Sequence, residues 1–140
     1  MKVLIIGGVA AGTKTAAKLK REDRSIEVTV ITKDRDISYA GCGLPYYVGG
    51  LIPGREDLIV NTPQKYSGLT GVEVRTGKEA VALDAEKKEV MVKDVLTGNT
   101  EVCPYDKLVI AVGASASELP IGGTDLPGEF KMRTPDDAEN

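Results

Sequence analysis

The sequence has no histidine and no tryptophan. Without imidazole it lacks the commonest general base and the commonest metal ligand, and the Ser-His and Cys-His hydrolase arrangements are excluded in one step. No metal site is expected. Cysteine is nearly absent too: Cys42 and Cys103 are the only two, too few for a disulfide framework or a zinc site. No apolar run approaches the roughly 20 residues that a membrane span needs. The opening "MKVLIIGG" is too short for a signal peptide and is followed by no cleavage pattern. A reducing cytoplasm is therefore the default location, and thiols there stay free unless they do chemistry. A net charge of -3 gives no electrostatic support to a nucleic-acid or membrane partner.

What is present is a chain of 140 residues, 41% hydrophobic and 28% charged, enough for one globular domain with a real core. Val3 to Ile6 is an apolar run that reads as a buried strand. Ala10 to about Arg21 is rich in Ala, Lys and Leu and predicts a helix, with Ala16, Ala17 and Leu19 toward a sheet. Glu27 to Ile31 is β-branched and predicts a second strand. Strand, glycine turn, helix and strand make a βαβ unit. A loop follows from Lys33, and a short helix is expected from Cys42 or Gly43 to about Val48. Thr62-Pro63 predicts a capped helix to about Ser67. Val72 to Arg75 predicts another strand. Ala80 to Leu83, Glu89 to Val95 and Glu101 to Cys103 alternate apolar and polar residues, as in an antiparallel meander. Leu108 to Ala111 predicts a last buried strand. The tail from Ser115 is rich in Pro and Gly. Thr134-Pro135 followed by acids predicts a helix start, and the chain reads as a piece of something longer.

Three motifs carry chemistry. Gly7 to Gly12, "GGVAAG", joins strand to helix, where backbone amides and a helix N-terminus can receive a pyrophosphate. Gly7 and Gly12 fit the G-x-G-x-x-G spacing and Val9 holds its middle position; the alternative is a plain turn. An acid would hold ribose hydroxyls at the end of the second strand. Thr32 stands there instead, with Asp34 two residues on. Cys42 lies between Gly41 and Gly43, which leaves room for a bulky group. A thiol near a helix N-terminus gains thiolate character, the form that attacks disulfides; an inert, packed cysteine is the other reading. Cys103, in a polar strand, reads as structural. Lys18, Arg21, Arg24 and Lys33 read as a solvated face, and Tyr46 and Tyr47 as packing residues with a polar tip.

Taken together, "KVLIIGGVAAGTKTAAKLKR", "DRDISYAGCGLPYYVGG", "NTPQKY", "YDKLVIAVGAS" and "LPGEFKMRTPDDA" resemble the N-terminal part of the single-cysteine branch of the flavin disulfide reductases. That branch holds coenzyme A-disulfide reductases, NADH oxidases, NADH peroxidases and polysulfide reductases. The resemblance runs along almost the whole chain, in order. It implies an α/β, Rossmann-like FAD/NAD(P)-binding three-layer fold: a parallel sheet with helices on one side and a small antiparallel meander on the other. Residues 1–140 would be the N-terminal segment of the FAD-binding domain, with the NADH-binding and dimerisation domains lying beyond.

By the same resemblance, FAD would lie with its pyrophosphate on Gly7, Gly8, Val9, Ala10, Ala11 and Gly12. Its adenosine ribose would lie near Thr32 and Lys33, and its adenine beside Ala80 and Val81. Its isoalloxazine would lie near Cys42, with Ala111, Val112 and Gly113 also lining the site. The family's common Ala-Thr-Gly is here Ala111-Val112-Gly113, without the hydroxyl. Cys42 would be the catalytic thiol, alone because its partner sulfur comes from a ligand. Ser38 and Arg21 match positions that contact coenzyme A, whereas Gly41 stands where Asn is frequent. NAD(P)H would be the reductant, a small-molecule disulfide, polysulfide or coenzyme A the partner, and a homodimer the full-length assembly. Peroxidases and water-forming oxidases of the branch carry a histidine inside the glycine turn; the matching residue is Ala10, which favours disulfide or polysulfide reduction. An NADH oxidase is the alternative within the branch. Outside it stands a nucleotide-binding module with an inert or redox-sensing Cys42.

Overall fold

The computed structural model describes residues 1–118, 120–124 and 126–139. In chain order its elements are β1 (Lys2–Ile6), α1 (Ala10–Glu22), β2 (Glu27–Ile31), α2 (Leu44–Val48), α3 (Pro63–Thr70), β3 (Glu73–Arg75), β4 (Lys78–Asp84), β5 (Glu89–Asp94), β6 (Thr100–Pro104) and β7 (Lys107–Ile110). They fall into two compact units. One is Met1–Ser38 with Asn61–Val112; the other is Tyr39–Val60 with Gly113–Asn140.

The first unit is built on a parallel sheet of order β3-β2-β1-β7. Val3 pairs with Val28 and Ile5 with Val30 across β1 and β2, and Ile5 pairs with Val109 on β7. Side chains alternate between the two faces of a strand, so each strand feeds two cores. Val3, Ile5, Val28 and Val30 pack with Ala16 of α1 and Tyr66 of α3 on one face. Leu4 and Ile31 pack with Val90, Val92 and Cys103 of the meander β4-β5-β6 on the other. Helices, parallel sheet and meander are the three layers of a Rossmann-like fold. Ala17 and Leu19 are packed against the helix-side core, so α1 presents the face its sequence predicts.

Strands β3 to β7 each begin or end one or two residues from the sequence reading, and two helical boundaries differ for identifiable reasons. Helix α3 runs past Ser67 to Thr70, because the residue that ends it is Gly71 in the left-handed conformation, φ +72°. Its Thr62 cap is as predicted and accepts from the Lys65 amide at 3.2 Å. Near the end of the chain, the acids after Thr134 form only a single 3-10 turn, Asp137–Glu139. The Asp137 carboxylate accepts from the Thr134 amide at 2.7 Å, and the Asp137 amide donates back to the Thr134 hydroxyl at 3.3 Å.

In the second unit, Tyr39 bridges Ile59 in antiparallel fashion and the Ala40 amide donates to the Leu58 carbonyl at 2.8 Å. Leu44 and Leu58 are buried. The Arg55 guanidinium bridges Asp136 at 2.5 Å and Glu139 at 2.6 Å. Among the described residues no helix is long and apolar enough to cross a membrane.

Candidate functional site

The glycine turn is tied to three other parts of the first unit. The Gly7 amide donates to the Ile31 carbonyl at 2.8 Å, the Gly8 carbonyl accepts from the Ser38 amide at 2.9 Å, and the Ala111 amide donates to the Ile6 carbonyl at 2.8 Å. Gly7 has φ +115°, a conformation open to glycine alone without strain. A Cβ at Gly7 would overlap the Ala111 carbonyl, and one at Gly12 would overlap the Gly7 carbonyl. A Cβ at Gly8 would come within 2.8 Å of Ile37 and 3.0 Å of Thr32. The turn thus brings Gly7, Gly8, Gly12, Thr32, Ser38 and Ala111 together. Val9, at the middle position, has φ -98° and ψ -122°, so it does not take the left-handed φ that Gly7 does.

Val9 is the N-cap of α1, and the helix has neither a side-chain cap nor an acid in its first turn. The first amides of a helix have no intrahelical acceptor, and the helix dipole adds positive potential there. Ala10 and Ala11, which carry two of those amides, are exposed. An open, acid-free N-terminus entered through a close-packed glycine turn fits a diphosphate group.

Thr32 follows β2 and is buried; its amide donates to Arg75 at 3.1 Å and its carbonyl accepts from Lys78 at 2.9 Å. Lys33 is exposed. Ala80 and Val81 lie on β4 at a register shift: Ala80 pairs with Val92 and Ala82 with Met91, which leaves Val81 out of the pairing. Such a bulge re-aims a side chain. Val81 is 47% exposed, and it borders a hollow of about 280 Å³ with Ala80, Ile6, Val90, Ile110 and Val112. The bulge and this hollow were not legible in the sequence. Arg21 is exposed in the last turn of α1, about 16 Å along the helix from Ala10 at 1.5 Å per residue, so the helix holds it away from the glycine turn. Ser38 has φ +50°, unusual for a residue with a side chain.

In the second unit, Cys42 sits in the 3-10 turn Gly41–Gly43 that leads into α2. The two flanking glycines differ. A Cβ at Gly43 would lie 2.9 Å from Leu58 and 3.3 Å from Ile52, whereas one at Gly41 would find only the Tyr39 ring, at 4.0 Å. Packing is therefore tight after the thiol and open before it. Cys42 is exposed and Cys103 buried. Tyr46 is 57% exposed and so is not the packing residue its neighbourhood predicts. Gly113 has φ +69°, and a Cβ there would lie 3.0 Å from the Arg133 guanidinium, whose Nε donates to the Ala114 carbonyl at 2.9 Å. Arg133 has no local sequence signal, because its partner lies far back in the chain.

Burial pushes the Cys103 thiol up from its ordinary pKa. Native protein is expected to take up a thiol-specific reagent at Cys42 within seconds to minutes at pH 7, and at Cys103 only on unfolding. Mass mapping of the labelled peptides checks this; fast native labelling of Cys103 would contradict the packing described.

Among the described residues no group of three His, Cys, Asp or Glu side chains could hold a metal ion. The model of the family described as pyridine nucleotide-disulphide oxidoreductase matches residues 1–140. A curated NADH oxidase from Methanocaldococcus jannaschii is 36% identical over 137 residues, 98% of this chain and 30% of that protein. A coenzyme A disulfide reductase from Staphylococcus haemolyticus is 33% identical over 138 residues, 99% of this chain and 31% of that one. The solved NAD-dependent persulfide reductase from A. fulgidus superposes with a TM-score of 0.91 at 34% identity, over 99% of this chain and 26% of the other. The chain thus spans about a third of the length of the curated relatives it matches.

Proposed function

The chain belongs to the pyridine nucleotide-disulphide oxidoreductase family, and on that premise we propose that it is the FAD-binding portion of an NAD(P)H-dependent reductase of coenzyme A-disulfide or polysulfide, with Cys42 as the redox-active thiol. The observation that carries this is the contrast between the two thiols: Cys42 is exposed in an open glycine-flanked turn, and Cys103 is buried. A family whose chemistry is disulfide exchange here has one thiol available for it.

Gly7 to Gly12 and the first amides of α1 would hold the pyrophosphate. Thr32 and Lys33 would hold the adenosine ribose, Ala80 and Val81 the adenine, and Ala111, Val112 and Gly113 would line the isoalloxazine. Bound there, FAD supplies two-electron transfer from a nicotinamide to sulfur. Cys42 does the sulfur chemistry. Its thiolate attacks one sulfur of R–S–S–R′, a Cys42–S–S–R bond forms, the old S–S bond breaks, and R′S⁻ leaves and is protonated. This exchange neither consumes nor produces electrons. The whole conversion takes R–S–S–R′, NAD(P)H and a proton to two thiols and NAD(P)⁺. Arg21 and Ser38 are the residues proposed for coenzyme A, and a homodimer is the proposed assembly of the whole protein. The NADH oxidase relative supports a second reading in which the acceptor is oxygen. Ala10, in place of a histidine, weighs against it.

The test is stoichiometric. Reduced protein is mixed with coenzyme A disulfide or polysulfide, and its intact mass is read before and after a thiol reductant. The expected result with coenzyme A disulfide is one reductant-labile adduct on Cys42, equal to coenzyme A less two hydrogens, in a protein with flavin absorbance. An oxygen adduct on Cys42 with no response to either sulfur substrate would favour the oxidase. An unreactive Cys42 in a flavin-free protein would overturn the proposal in favour of a nucleotide-binding module.

A further inference from the structure

Resting on the flavin reading above, we propose that Thr13 is a positioning residue for the diphosphate group, its hydroxyl aiming the Ala10 amide out of the N-terminus of α1. Three observations converge on it. Thr13 lies in the second turn's worth of contacts, four residues after the N-cap, and its side chain donates back to the carbonyl of Val9, with a longer approach of 3.4 Å to the carbonyl of Ala10. Val9 is the N-cap and has no side-chain cap of its own. The Thr13 carbonyl in turn accepts from the hydroxyl of Tyr66, which is buried and reaches over from α3.

The consequence follows from peptide geometry. The N-cap carbonyl already accepts the first intrahelical bond. A second donor on the same oxygen leaves it little freedom to tilt. The peptide unit is planar and trans, so its carbonyl and its N–H point in opposite directions. Holding the Val9 oxygen toward the body of the helix therefore holds the Ala10 N–H outward, and Ala10 is exposed there. In most helices a cap side chain such as Ser or Asp would set this end and occupy its amides. Here the ordering group acts from inside the helix and leaves the amides free for a ligand. Tyr66 fixes the same residue from the neighbouring helix, and burial raises its phenol pKa, so it remains a donor at neutral pH.

The test compares Thr13→Val, which keeps the shape and removes the hydroxyl, with Thr13→Ser, which keeps the hydroxyl. The whole protein, depleted of flavin, is titrated with FAD and binding is followed by quenching of flavin fluorescence. The melting temperature and the hydrogen exchange of the Ala10 amide are measured on the flavin-free forms. Thr13→Val is expected to weaken FAD binding about tenfold, the worth of one well-placed bond, and to alter Ala10 exchange. Thr13→Ser is expected to restore both. Equal affinity in wild type and Thr13→Val overturns the proposal, as does a lowered melting temperature with unchanged affinity, which would make Thr13 a packing residue only. Wild-type protein that binds no FAD refutes the flavin reading itself and this proposal with it.

Discussion

Replacing Cys42 by serine is expected to abolish mixed-disulfide formation with coenzyme A disulfide, and to lower NAD(P)H-dependent disulfide turnover by the whole protein at least about a thousandfold, the scale on which losing a nucleophile is felt. Serine is close to cysteine in size, and position 42 is exposed, so little packing is lost. What is lost is the nucleophile: a hydroxyl is not ionised at neutral pH and cannot form a disulfide. Flavin content should be unchanged, because the residues proposed to hold the diphosphate and adenosine are Gly7 to Gly12, Thr32, Lys33, Ala80 and Val81. The matching control is Cys103→Ser. That thiol packs among Leu4, Ile31, Val90 and Val92, so a hydroxyl there costs stability by burying a polar group, yet the adduct on Cys42 should still form. The two variants therefore separate along different axes, one chemical and one thermodynamic. Intact mass after coenzyme A disulfide treatment, with denaturant unfolding beside it, reads both. An adduct that survives Cys42→Ser, or vanishes with Cys103→Ser in folded protein, would remove Cys42 from the mechanism.

The elements were legible wherever a single physical rule dominates. The apolar run Val3 to Ile6 reads as a strand and is buried at Val3, Leu4 and Ile5. The run expected as a buried strand at Leu108 to Ala111 is instead the strand Lys107–Ile110, half-buried at Leu108 and Val109 and exposed at Ile110, because it lies at the edge of the sheet. The alternation expected from Glu89 to Val95 shows which face β5 turns to the sheet, with Val90 and Val92 buried, but the strand ends one residue early, at Asp94. The glycine turn was legible as a turn, with the left-handed φ falling on Gly7 and not on Val9. Other features are set by partners distant in sequence and have no local signal. Arg55 meets Asp136 and Glu139, Arg133 meets Ala114, and Tyr66 meets Thr13, none predictable from spacing. Gly68, directly after Ser67, lies inside α3 and does not end it. A glycine inside a helix costs only about 1 kcal/mol, and it was Gly71, free to turn left-handed, that ended it. The bulge at Val81 has no local signal: Ala80-Val81-Ala82-Leu83 is apolar at every position, so it lacks the apolar-polar alternation expected of it and nothing in it marks a shift of register. Of the candidate site, the residues of the first unit are brought together by Gly7 and Gly8, whose neighbours Ile31, Ser38 and Ala111 lie far apart in the chain.

The glycines of the turn make a graded series with a large predicted spread. Gly7→Ala meets two penalties at once, a left-handed φ of +115° and an overlap with the Ala111 carbonyl. Gly12→Ala meets one, an overlap with the Gly7 carbonyl, but the obstacle is backbone and cannot turn aside. Either is expected to cost roughly 3 kcal/mol or more, at the upper end of what overpacking a closed site does, and to release FAD, since strand and helix must separate to admit the methyl. Gly8→Ala presses on the side chains of Ile37 and Thr32 at 2.8 and 3.0 Å; these can shift, so its cost should be smaller. Gly68→Ala is the opposite case. It lies within α3, nothing stands within 4 Å of its added Cβ, and alanine is the better helix former by about 1 kcal/mol, so the variant should be more stable than wild type. Urea unfolding of the four variants orders them, and flavin absorbance of the purified proteins gives the second axis. If Gly12→Ala unfolds with the wild-type midpoint, the close contact of α1 with the turn is not as described. If it is destabilised yet keeps its full flavin content, the turn is structural and the diphosphate is held elsewhere.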